Sequence, residues 1–326
     1  MAASMIPPVT ARGFLDSNGW TDAVIVPLAG DASFRRYFRV VDGSRQAVLM
    51  DAPPPHEDPR PFIGIARWLG DHGFAAPALL AVDLDKGLLL IEDFGDARMR
   101  ETIDAAPHRT EQLYAEAVDI LVALHRHQPG DLRAYDRQEL HREAGLLTEW
   151  YCPAVGLDVD LAGYVAAWDA VLDTVMTAAP VTVLRDYHAE NIMLKADGSL
   201  GLLDFQDALA GHPAYDLVSL LQDARRDVEP AIETQMLARY KAATGAGDDF
   251  DAAYHVLGAQ RNAKIVGIFT RLWKRDGKSR YPALCPRVWR YLEQDLAHPA
   301  LGPVAGWFAT NIPSSKRGDP MAIAGR

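Results

Sequence analysis

The sequence predicts an α+β protein in which a small, strand-rich N-terminal part precedes a larger, mainly helical part. Up to residue 93, short runs of β-branched and apolar residues alternate with turn residues, which is the pattern of a small antiparallel sheet. After Gly95, apolar residues recur at helical spacing, as at Leu113, Ala117 and Leu121. We therefore expect an N-terminal lobe of residues 1–93 and a C-terminal lobe of residues 94–326, with the boundary near residues 92–95.

The composition is that of a globular chain and argues against several classes of partner. The 326 residues are 49% hydrophobic and 24% charged, and the formal net charge of −11 disfavours binding to nucleic acid. Two cysteines, Cys152 and Cys285, lie outside any C-x-x-C pattern, which favours a reducing cytoplasm. No uncharged apolar run reaches the roughly 18 residues of a membrane span, and no signal peptide is evident. We expect a soluble, cytoplasmic protein with no membrane attachment and no obligatory protein partner.

Two hairpins are the best-marked local elements. Asp42-Gly43 and Asp197-Gly198 each separate two strand-like runs, and such pairs favour two-residue turns because both turn positions need positive φ. From about residue 311 the chain contains Pro, Ser, Gly and Lys with little periodicity, so we expect a loosely held tail. The predicted strands cover residues 24–28, 34–41, 44–50, 87–94, 181–184, 192–196 and 199–203, and the first helix after the sheet begins covers residues 62–71.

The chemistry is carried by residues 184–191 (LRDYHAEN) and 203–206 (LDFQ). Phosphoryl transfer from ATP needs a carboxylate near the attacking hydroxyl and oxygen ligands for Mg²⁺ on the phosphates. Asp186 is the candidate catalytic base, and Asn191 and Asp204 are the candidate metal ligands. The alternative is that these side chains only cap turns and end a strand.

The second hairpin strengthens the metal assignment. If Asp197-Gly198 is a two-residue turn, opposed residue numbers sum to 395, so Asn191 lies directly opposite Asp204. Their side chains would then share one face, with roughly 5 Å between Cβ atoms. The register predicts two oxygen ligands around one cation.

These motifs resemble the aminoglycoside phosphotransferase and protein-kinase superfamily, whose pattern is H-x-D-x-x-x-x-N followed by a D-F-G-like triplet. The resemblance implies a two-lobed protein-kinase-like fold, with ATP as substrate and Mg²⁺ as cofactor. His188 matches the D-x-H-x-x-N form of the small-molecule kinases, and Asp216 is implied to brace the catalytic loop. Leu184 replaces the usual His of the pattern, and Gln206 replaces the Gly.

The nucleotide-binding residues follow from position within this resemblance. Residues 30–37 (GDASFRRY) stand where the glycine-rich phosphate loop belongs, and residues 89–94 (LLLIEDF) stand where a hinge would bond adenine through its backbone. The implied nucleotide-binding residues are Gly30, Ala32, Ser33, Phe34, Arg35, Glu92, Asp93 and Phe94.

The lysine that the superfamily carries on its third strand is absent, because Met50 stands in its place. Across a two-residue Asp42-Gly43 turn, opposed numbers sum to 85, which puts Arg35 beside Met50. We interpret Arg35 as the replacement phosphate ligand, and expect Arg36 to face the other way and tolerate replacement. The alternatives are that both arginines are solvated strand residues, or that the chain is an inactive relative that only binds nucleotide.

A basic helical stripe indicates the acceptor. Arg261, Lys264, Arg271 and Arg275 stand at offsets 0, 3, 10 and 14 in an otherwise acidic protein. Such a stripe suits an anionic acceptor rather than a polycationic aminoglycoside. The alternative is a solvated helix face.

Most of residues 15–295 resembles one subgroup, the anomeric N-acetylmuramate/N-acetylglucosamine kinases of bacterial cell-wall recycling. The resemblance rests on residues 30–39, 148–151 (TEWY), 184–191, 260–262 (QRN) and 271–273 (RLW). It implies transfer of the ATP γ-phosphate to the C1 hydroxyl, giving an α-1-phosphate, with the stripe binding the lactyl carboxylate. Two other functions stay open: a kinase for another small alcohol, an aminoglycoside-like substrate included, or a nucleotide-binding regulatory module without turnover. The implied sugar-binding residues are Glu149, Trp150, Tyr151, His188, Arg261, Lys264 and Arg271.

Overall fold

A computed structural model describes residues 6–28, 34–247 and 249–325 of the chain. The chain forms two compact units. Unit 1 consists of Met1–Thr110 and Ala189–Ala208, and unit 2 consists of Glu111–His188 and Leu209–Arg326. Unit 1 extends past the predicted boundary at residue 93, because a returning hairpin adds to it. Within unit 1, the Leu194 N–H donates to the Ala97 carbonyl over 2.6 Å.

The seven predicted strands are present in order, whereas one helix (Ala11–Ser17) and two strands (Leu79–Asp83 and Leu209–Gly211) were not predicted. The strands are β1 (Val24–Pro27), β2 (Arg36–Asp42), β3 (Arg45–Asp51), β4 (Leu79–Asp83), β5 (Leu88–Glu92), β6 (Val181–Val183), β7 (Ile192–Leu194), β8 (Leu200–Leu202) and β9 (Leu209–Gly211). The helices are α1 (Ala11–Ser17), α2 (Arg60–Asp71), α3 (Met99–Ala105), α4 (Thr110–Leu124), α5 (Arg137–Ala144), α6 (Cys152–Ala154), α7 (Leu161–Met176), α8 (Ala214–Leu221), α9 (Pro230–Thr244), α10 (Asp249–Lys274), α11 (Cys285–Leu296), α12 (Gly302–Asn311) and α13 (Pro320–Ala324). A π-helical turn spans Leu147–Tyr151.

The sheet of unit 1 has five antiparallel strands in the order β1-β2-β3-β5-β4, as the alternating pattern predicts. Successive side chains of a strand point to opposite faces. One face carries Phe38, Leu49 and Leu90, which pack with Phe14 and Leu15 of α1 in a closed core. The other face is therefore available to line a cavity.

The first hairpin has a different register from the predicted one. Opposed numbers sum to 87 rather than 85: Asp42 pairs with Arg45, and Tyr37 rather than Arg35 lies opposite Met50. The turn residues are Gly43 and the following serine, so the positive φ of Gly43, +59°, falls at the first turn position. The predicted pairing of Arg35 with Met50 is wrong.

Arg36 also differs from its expected role as a replaceable residue. Its Nε donates to the Asp51 carboxylate over 2.7 Å, and Asp51 is buried. Removing one member of such a pair leaves a buried charge without compensation, which is costly. We therefore expect replacement of Arg36 to destabilise the sheet.

The second hairpin is shifted by one residue as well. Its opposed numbers sum to 394, as in Met193 with Gly201, rather than 395. The loop has three residues, closed by a hydrogen bond from the Lys195 N–H to the Ser199 carbonyl, and ends at Gly198 with φ +85°. A three-residue loop with a left-handed third residue is a common hairpin connection. The predicted two-residue turn is wrong.

Unit 2 is built around α10, whose 26 residues pack against α5, α7, α8 and α11. Two short strands, β6 and β9, pair antiparallel beside this helical bundle. Nowhere in residues 6–28, 34–247 and 249–325 does a helix combine the length and hydropathy that crossing a bilayer requires.

The C-terminal segment is ordered against unit 2, so the prediction of a loose tail is wrong. The Tyr151 hydroxyl, fully buried, bonds the Lys316 carbonyl over 2.8 Å and accepts from the Gly318 N–H over 2.9 Å. The Lys316 ammonium donates to the Val155 carbonyl over 2.9 Å. Arg317 donates to the Ile312 carbonyl and to a carboxylate of α11. The prediction of a loose tail rested on the local composition of this segment, which does not reveal its partners in the folded chain.

Removing residues 314–326 should destabilise unit 2. The Tyr151 hydroxyl would lose its hydrogen bonds to Lys316 and Gly318, and each such bond is worth roughly 0.5–1.5 kcal/mol of unfolding free energy. Chemical denaturation of the truncated and full-length proteins measures this difference. Tyr151→Phe in the full-length chain, which removes the hydroxyl itself, should cost less than the truncation. An unchanged denaturation midpoint in the truncated protein would contradict the assignment.

Candidate active site

The segment carrying Asp186 follows β6 in unit 2 and is held from one side by Asp216. The fully buried Asp216 carboxylate accepts from the Leu184 N–H over 2.6 Å and from the Arg185 N–H over 2.8 Å. Arg185 has φ +71°, a left-handed conformation that non-glycine residues rarely adopt. Two hydrogen bonds to one carboxylate hold this unusual backbone, which agrees with the bracing role that the resemblance implies for Asp216.

The same segment is held from its carbonyl side. The Ser219 hydroxyl donates to the Arg185 carbonyl over 3.1 Å, and Arg261 Nη2 donates to the Ser219 hydroxyl over 2.8 Å. Arg261 is only 4% exposed. Sequence reasoning assigned Arg261 to the sugar, but the structure buries it in contact with α8.

Lys264 is also engaged inside unit 2 rather than exposed. Its ammonium lies 2.8 Å from the buried Glu143 carboxylate, which also pairs with Arg185. Burial alone would raise the pKa of Glu143, but Lys264 and Arg185 outweigh it and lower that pKa to about 2. Arg275 pairs with its neighbour Asp276. The predicted basic stripe is therefore not one exposed surface.

The predicted aromatic platform for the sugar is only partly present. Tyr151 is fully buried and bonded to the C-terminal segment, so it is not available for stacking. Trp150 is half-buried and Glu149 is exposed, both on the π-helical turn. Such turns occur frequently at functional sites. Arg271, half-buried on α10, has its pKa lowered by burial and by Arg275.

His188 is a buried, neutral imidazole beside an arginine that sequence reasoning missed. Its Nε2 lies 3.1 Å from Arg225 Nη1, and it accepts because a guanidinium can only donate. Burial, Arg225 and Arg261 hold the pKa of His188 well below its usual value. The only signal for Arg225 in the sequence is the Arg225-Arg226 pair soon after α8.

Unit 1 contains a cavity of about 460 Å³ on the free face of its sheet. Val48 and Ile91, paired across β3 and β5, form one apolar wall, and Met193 of β7 contributes another. A volume in this range is typical of small-ligand sites. The remaining residues that line it include Leu28, Arg35, Tyr37, Arg39, Phe62, Pro77, Glu92, Asp93, Phe94, Asn191, Leu203 and Asp204.

Asn191 and Asp204 meet at this cavity despite the shifted register. Strand β8 ends at Leu202, the Leu203 N–H donates to the Asn191 carbonyl over 2.9 Å, and the next residue, Asp204, has φ +57°. Asn191 Nδ2 lies 3.4 Å from Asp204 Oδ2, and Gln206 Nε2 donates to Asp204 Oδ1 over 2.9 Å. The two side chains are thus neighbours for a reason other than the predicted direct pairing.

The donor set at this point fits magnesium. Mg²⁺ prefers oxygen ligands and is usually held by one or two carboxylates together with substrate phosphates. Asp204 supplies a carboxylate, and the neighbouring Asn191 amide, whose Nδ2 lies 3.4 Å from Asp204 Oδ2, carries an oxygen that could also bind the cation. In the described part of the chain, no three His, Cys, Asp or Glu side chains converge as a metal centre of their own.

Arg35 lies just before β2, and its side chain extends to Asp204, one of the two candidate metal ligands. Its Nη2 is 3.4 Å from Asp204 Oδ1, its Nε is 3.9 Å from Glu57 Oε2, and its side chain is 14% exposed. Burial opposes its charge, but Tyr37, Asp204 and Glu57 raise its pKa above the usual value. A permanently charged guanidinium therefore lines the cavity next to the candidate metal ligands.

The hinge is anchored by side chains whose roles the motif did not reveal. Arg39 of β2, which sequence reasoning did not select, donates from Nε to Asp93 over 2.6 Å and from Nη2 to Asp96 over 2.9 Å. Glu92 accepts from the Ala78 N–H and lies 3.4 Å from the Lys195 ammonium. The carboxylates at the hinge therefore hold the segment in place.

Phe94 is fitted against a glycine of β8. A Cβ atom added at Gly201 would lie 2.6 Å from Phe94 Cε2, so the ring occupies the space of a side chain. The Lys195 ammonium lies 4.8 Å from the centre of the same ring. The Phe94 ring thereby forms part of the cavity wall.

The phosphate loop is only partly described. Gly30, Ala32 and Ser33 lie outside the described residues. Phe34 is exposed, its N–H donates to Glu57 over 3.1 Å, and its ring stacks on His56 at 5.3 Å.

Replacing Arg35 should impair use of the nucleotide. If Arg35 contacts the ATP phosphates, as its sequence position predicts, Arg35→Ala should raise the KM for ATP and lower kcat, reducing kcat/KM by roughly 10²-fold, because a charged donor would be lost. Met50→Leu is the matched control, since Met50 is fully buried and a volume-conserving change there costs less than about 1.5 kcal/mol. Steady-state kinetics with ATP varied gives both constants, and equal values for Arg35→Ala and Met50→Leu would rule out the role.

Comparison with known proteins agrees with this architecture. A model of the "Phosphotransferase enzyme family" matches residues 24–254. The N-acetylmuramate/N-acetylglucosamine kinase of Pseudomonas aeruginosa is 40% identical over 298 residues, which cover 86% of this chain and 87% of that protein. The protein of the same name from Caulobacter vibrioides is 37% identical, with 93% and 96% of the two chains covered.

A solved structure shows the same fold at much lower identity. The ternary complex of streptomycin, ATP and APH(2″)-IIa has a TM-score of 0.60 to this chain, at 14% identity, and covers 90% of this chain and 98% of that one. The fold is protein-kinase-like, as the resemblance implied. With the family model matching most of the chain, this protein belongs to the phosphotransferase enzyme family.

Proposed function

We propose that this protein transfers the γ-phosphoryl group of ATP to the C1 hydroxyl of N-acetylmuramate and N-acetylglucosamine, giving the α-1-phosphate during peptidoglycan recycling. The observation that carries the proposal is the near full-length similarity to two kinases named for these sugars. The family match supports phosphotransfer in general, and the relatives supply the choice of sugar.

The cavity of unit 1 is the proposed nucleotide site. Its apolar walls, Val48, Ile91 and Met193, suit an adenine ring, and the hinge backbone at residues 92–94 would bond the ring edge. Arg35 would contact the phosphates from the same cavity, together with the loop at residues 30–34. ATP in the complex of the structural neighbour supports the choice of nucleotide.

Asp186 is the proposed base. It would accept the proton of the C1 hydroxyl as that oxygen attacks the γ-phosphorus and ADP leaves. Asn191 and Asp204 would hold Mg²⁺, and Gln206 would orient the Asp204 carboxylate. Magnesium, when bound, neutralises the charge of the phosphate oxygens. With these roles assigned, the site needs no lysine at position 50, provided that Arg35 contacts the phosphates.

The acceptor site is proposed at those sugar-binding residues of the sequence prediction that are exposed or half-buried in the structure. Trp150 would stack on the sugar, and Glu149 would bond its hydroxyls. His188 is buried and bonded to Arg225, so it is not placed among these contacts. Arg271 remains a candidate for the lactyl carboxylate, whereas Arg261, Lys264 and Tyr151 are committed elsewhere. The preference for N-acetylmuramate therefore rests on the relatives and not on a basic stripe.

A transfer assay tests the proposal directly. The purified protein, ATP and Mg²⁺ are incubated with N-acetylmuramate, N-acetylglucosamine, glucose, choline and an aminoglycoside, and products are followed by ³¹P NMR. An α-1-phosphate formed from the two N-acetyl sugars supports the proposal. Transfer only to choline or the aminoglycoside would replace it with a kinase for another alcohol. Nucleotide binding without any transfer would favour the regulatory alternative.

A further inference from the structure

Three side chains of unit 2 form a clamp on the peptide groups of Arg185, which immediately precedes Asp186. Asp216 accepts the Arg185 N–H over 2.8 Å. Ser219 donates to the Arg185 carbonyl over 3.1 Å, and Arg261 donates to Ser219 over 2.8 Å. Both polar groups of one residue are therefore held by α8, and α10 supports α8 through Arg261. We call Asp216, Ser219 and Arg261 the Arg185 clamp.

The backbone needs such a clamp. Arg185 has φ +71°, and a non-glycine residue stays in that region only when its surroundings over-determine it. Relaxation of Arg185 to a common conformation would rotate the next peptide and carry the Asp186 side chain with it. The position of the carboxylate thus depends on contacts that Asp186 does not itself make.

The contact with Arg261 fixes the direction in which the Ser219 hydroxyl donates its hydrogen bond. A serine hydroxyl has one proton to donate and lone pairs that accept. The guanidinium can only donate, so it occupies a lone pair and leaves the hydroxyl proton for the Arg185 carbonyl. Arg261, only 4% exposed, therefore orients the hydroxyl instead of contacting solvent.

The charge of Arg261 also acts on the other arm of the clamp. Burial raises the pKa of Asp216 to about 7, while the two backbone N–H groups and Arg261 oppose that rise. The guanidinium therefore favours the ionised carboxylate, which is the form that accepts both N–H groups. Loss of Arg261 would weaken both arms together.

We propose that Ser219 and Arg261 are positioning residues for Asp186, which hold the Arg185 peptide so that the Asp186 carboxylate stays aligned with the acceptor hydroxyl. The proposal rests on the proposed kinase function for its catalytic consequence. It assigns to Arg261 a role in alignment rather than in sugar binding. Neither residue touches substrate in this account.

Kinetics separates alignment from binding. We expect Ser219→Ala to lower kcat roughly 10-fold and Arg261→Met roughly 100-fold, with the KM values for ATP and sugar changed less than about twofold, since small misplacements act on the chemical step. The controls are Thr270→Val, a buried hydroxyl that donates to the Val266 carbonyl of its own helix, and Arg239→Met, a guanidinium paired with Asp119. Both should keep the wild-type kcat.

A double mutant tests whether Ser219 works through Asp186. In an Asp186→Asn background, Ser219→Ala should reduce the residual rate by less than about twofold, because residues that act as a unit are not additive. A full 10-fold further loss would overturn the proposal. So would a rise in the KM for sugar in Arg261→Met with kcat unchanged, which would restore Arg261 to the sugar site.

Amide hydrogen exchange provides a readout that does not depend on activity. In the full-length protein, Ser219→Ala should speed exchange at residues 184–186, whereas Thr270→Val should not. Should the wild type phosphorylate no sugar, faster exchange confined to Ser219→Ala would sustain the clamp while the proposed function fails. Exchange and kcat that are both indistinguishable between Ser219→Ala and Thr270→Val would overturn the proposal.

Discussion

Replacing Asp186 by Asn should lower kcat by roughly 10²–10⁴-fold, the usual contribution of a general base. The amide keeps the shape of the carboxylate but cannot take the proton of the acceptor hydroxyl at neutral pH. Because Asp186 does not line the cavity proposed for ATP, the affinity for ATP should stay near the wild-type value. Steady-state kinetics with sugar and ATP varied, together with calorimetric titration of ATP, measures both quantities.

The matched control is Asp197→Asn in the exposed loop of the β7–β8 hairpin. Asp197 accepts the Ser199 N–H over 2.9 Å, a bond that an asparagine oxygen can also make. We expect this variant to retain full activity. Near-normal turnover in Asp186→Asn would remove Asp186 from the mechanism.

Replacing Asp204 by Ala should nearly abolish magnesium-dependent activity. Asp204 brings the negative charge to the proposed cation site, and its loss also leaves Arg35 and Gln206 without a shared partner. We expect kcat/KM to fall by roughly 10²–10³-fold, comparable to removing one strong electrostatic contact to a transition state. Activity measured across a magnesium titration should show a raised requirement for the metal.

Three further variants test whether the effect of Asp204→Ala comes from the lost metal ligand or from a general loss of stability. Asn191→Ala should be milder than Asp204→Ala, because an amide oxygen is a weaker ligand than a carboxylate. Gln206→Ala should weaken apparent magnesium affinity by roughly 10-fold, as loss of an orienting partner commonly does. Asp83→Ala, a half-buried carboxylate at the end of β4 that pairs with Lys86, is the control. A magnesium dependence in Asp204→Ala that matches the wild type would exclude this residue as a ligand.

The fold class and element order were predictable because they depend on local periodicity. Side chains in the middle of β2 alternate between buried and half-buried, as expected for a strand of the five-stranded sheet. The two Asp-Gly pairs each mark a hairpin that is present in the structure. Both predicted registers were nevertheless wrong. A turn signal specifies where the chain reverses, but Gly43 and Gly198 enter different turn types, and the sequence does not state which turn residue takes positive φ.

The acceptor side was the least predictable part of the site. Arg261 and Lys264 lie at helical spacing, yet α10 is buried on most of its faces, so these two side chains contact Ser219 and Glu143 inside unit 2. Tyr151 is covered by a segment more than a hundred residues later in the chain. Helical spacing cannot distinguish a solvated stripe from buried ion pairs, because that depends on what packs against the helix.

The fit of Phe94 against Gly201 has a consequence for how this cavity can change. The position of the ring is set by a missing side chain on the neighbouring hairpin, so the two sites should not vary independently. We expect Gly201→Ala alone to displace the ring and raise the KM for ATP, and Gly201→Ala with Phe94→Leu to recover much of the loss. In selection for altered nucleotide use, we therefore expect residues 94 and 201 to change together. A smaller residue at position 94 should appear before a larger residue at position 201.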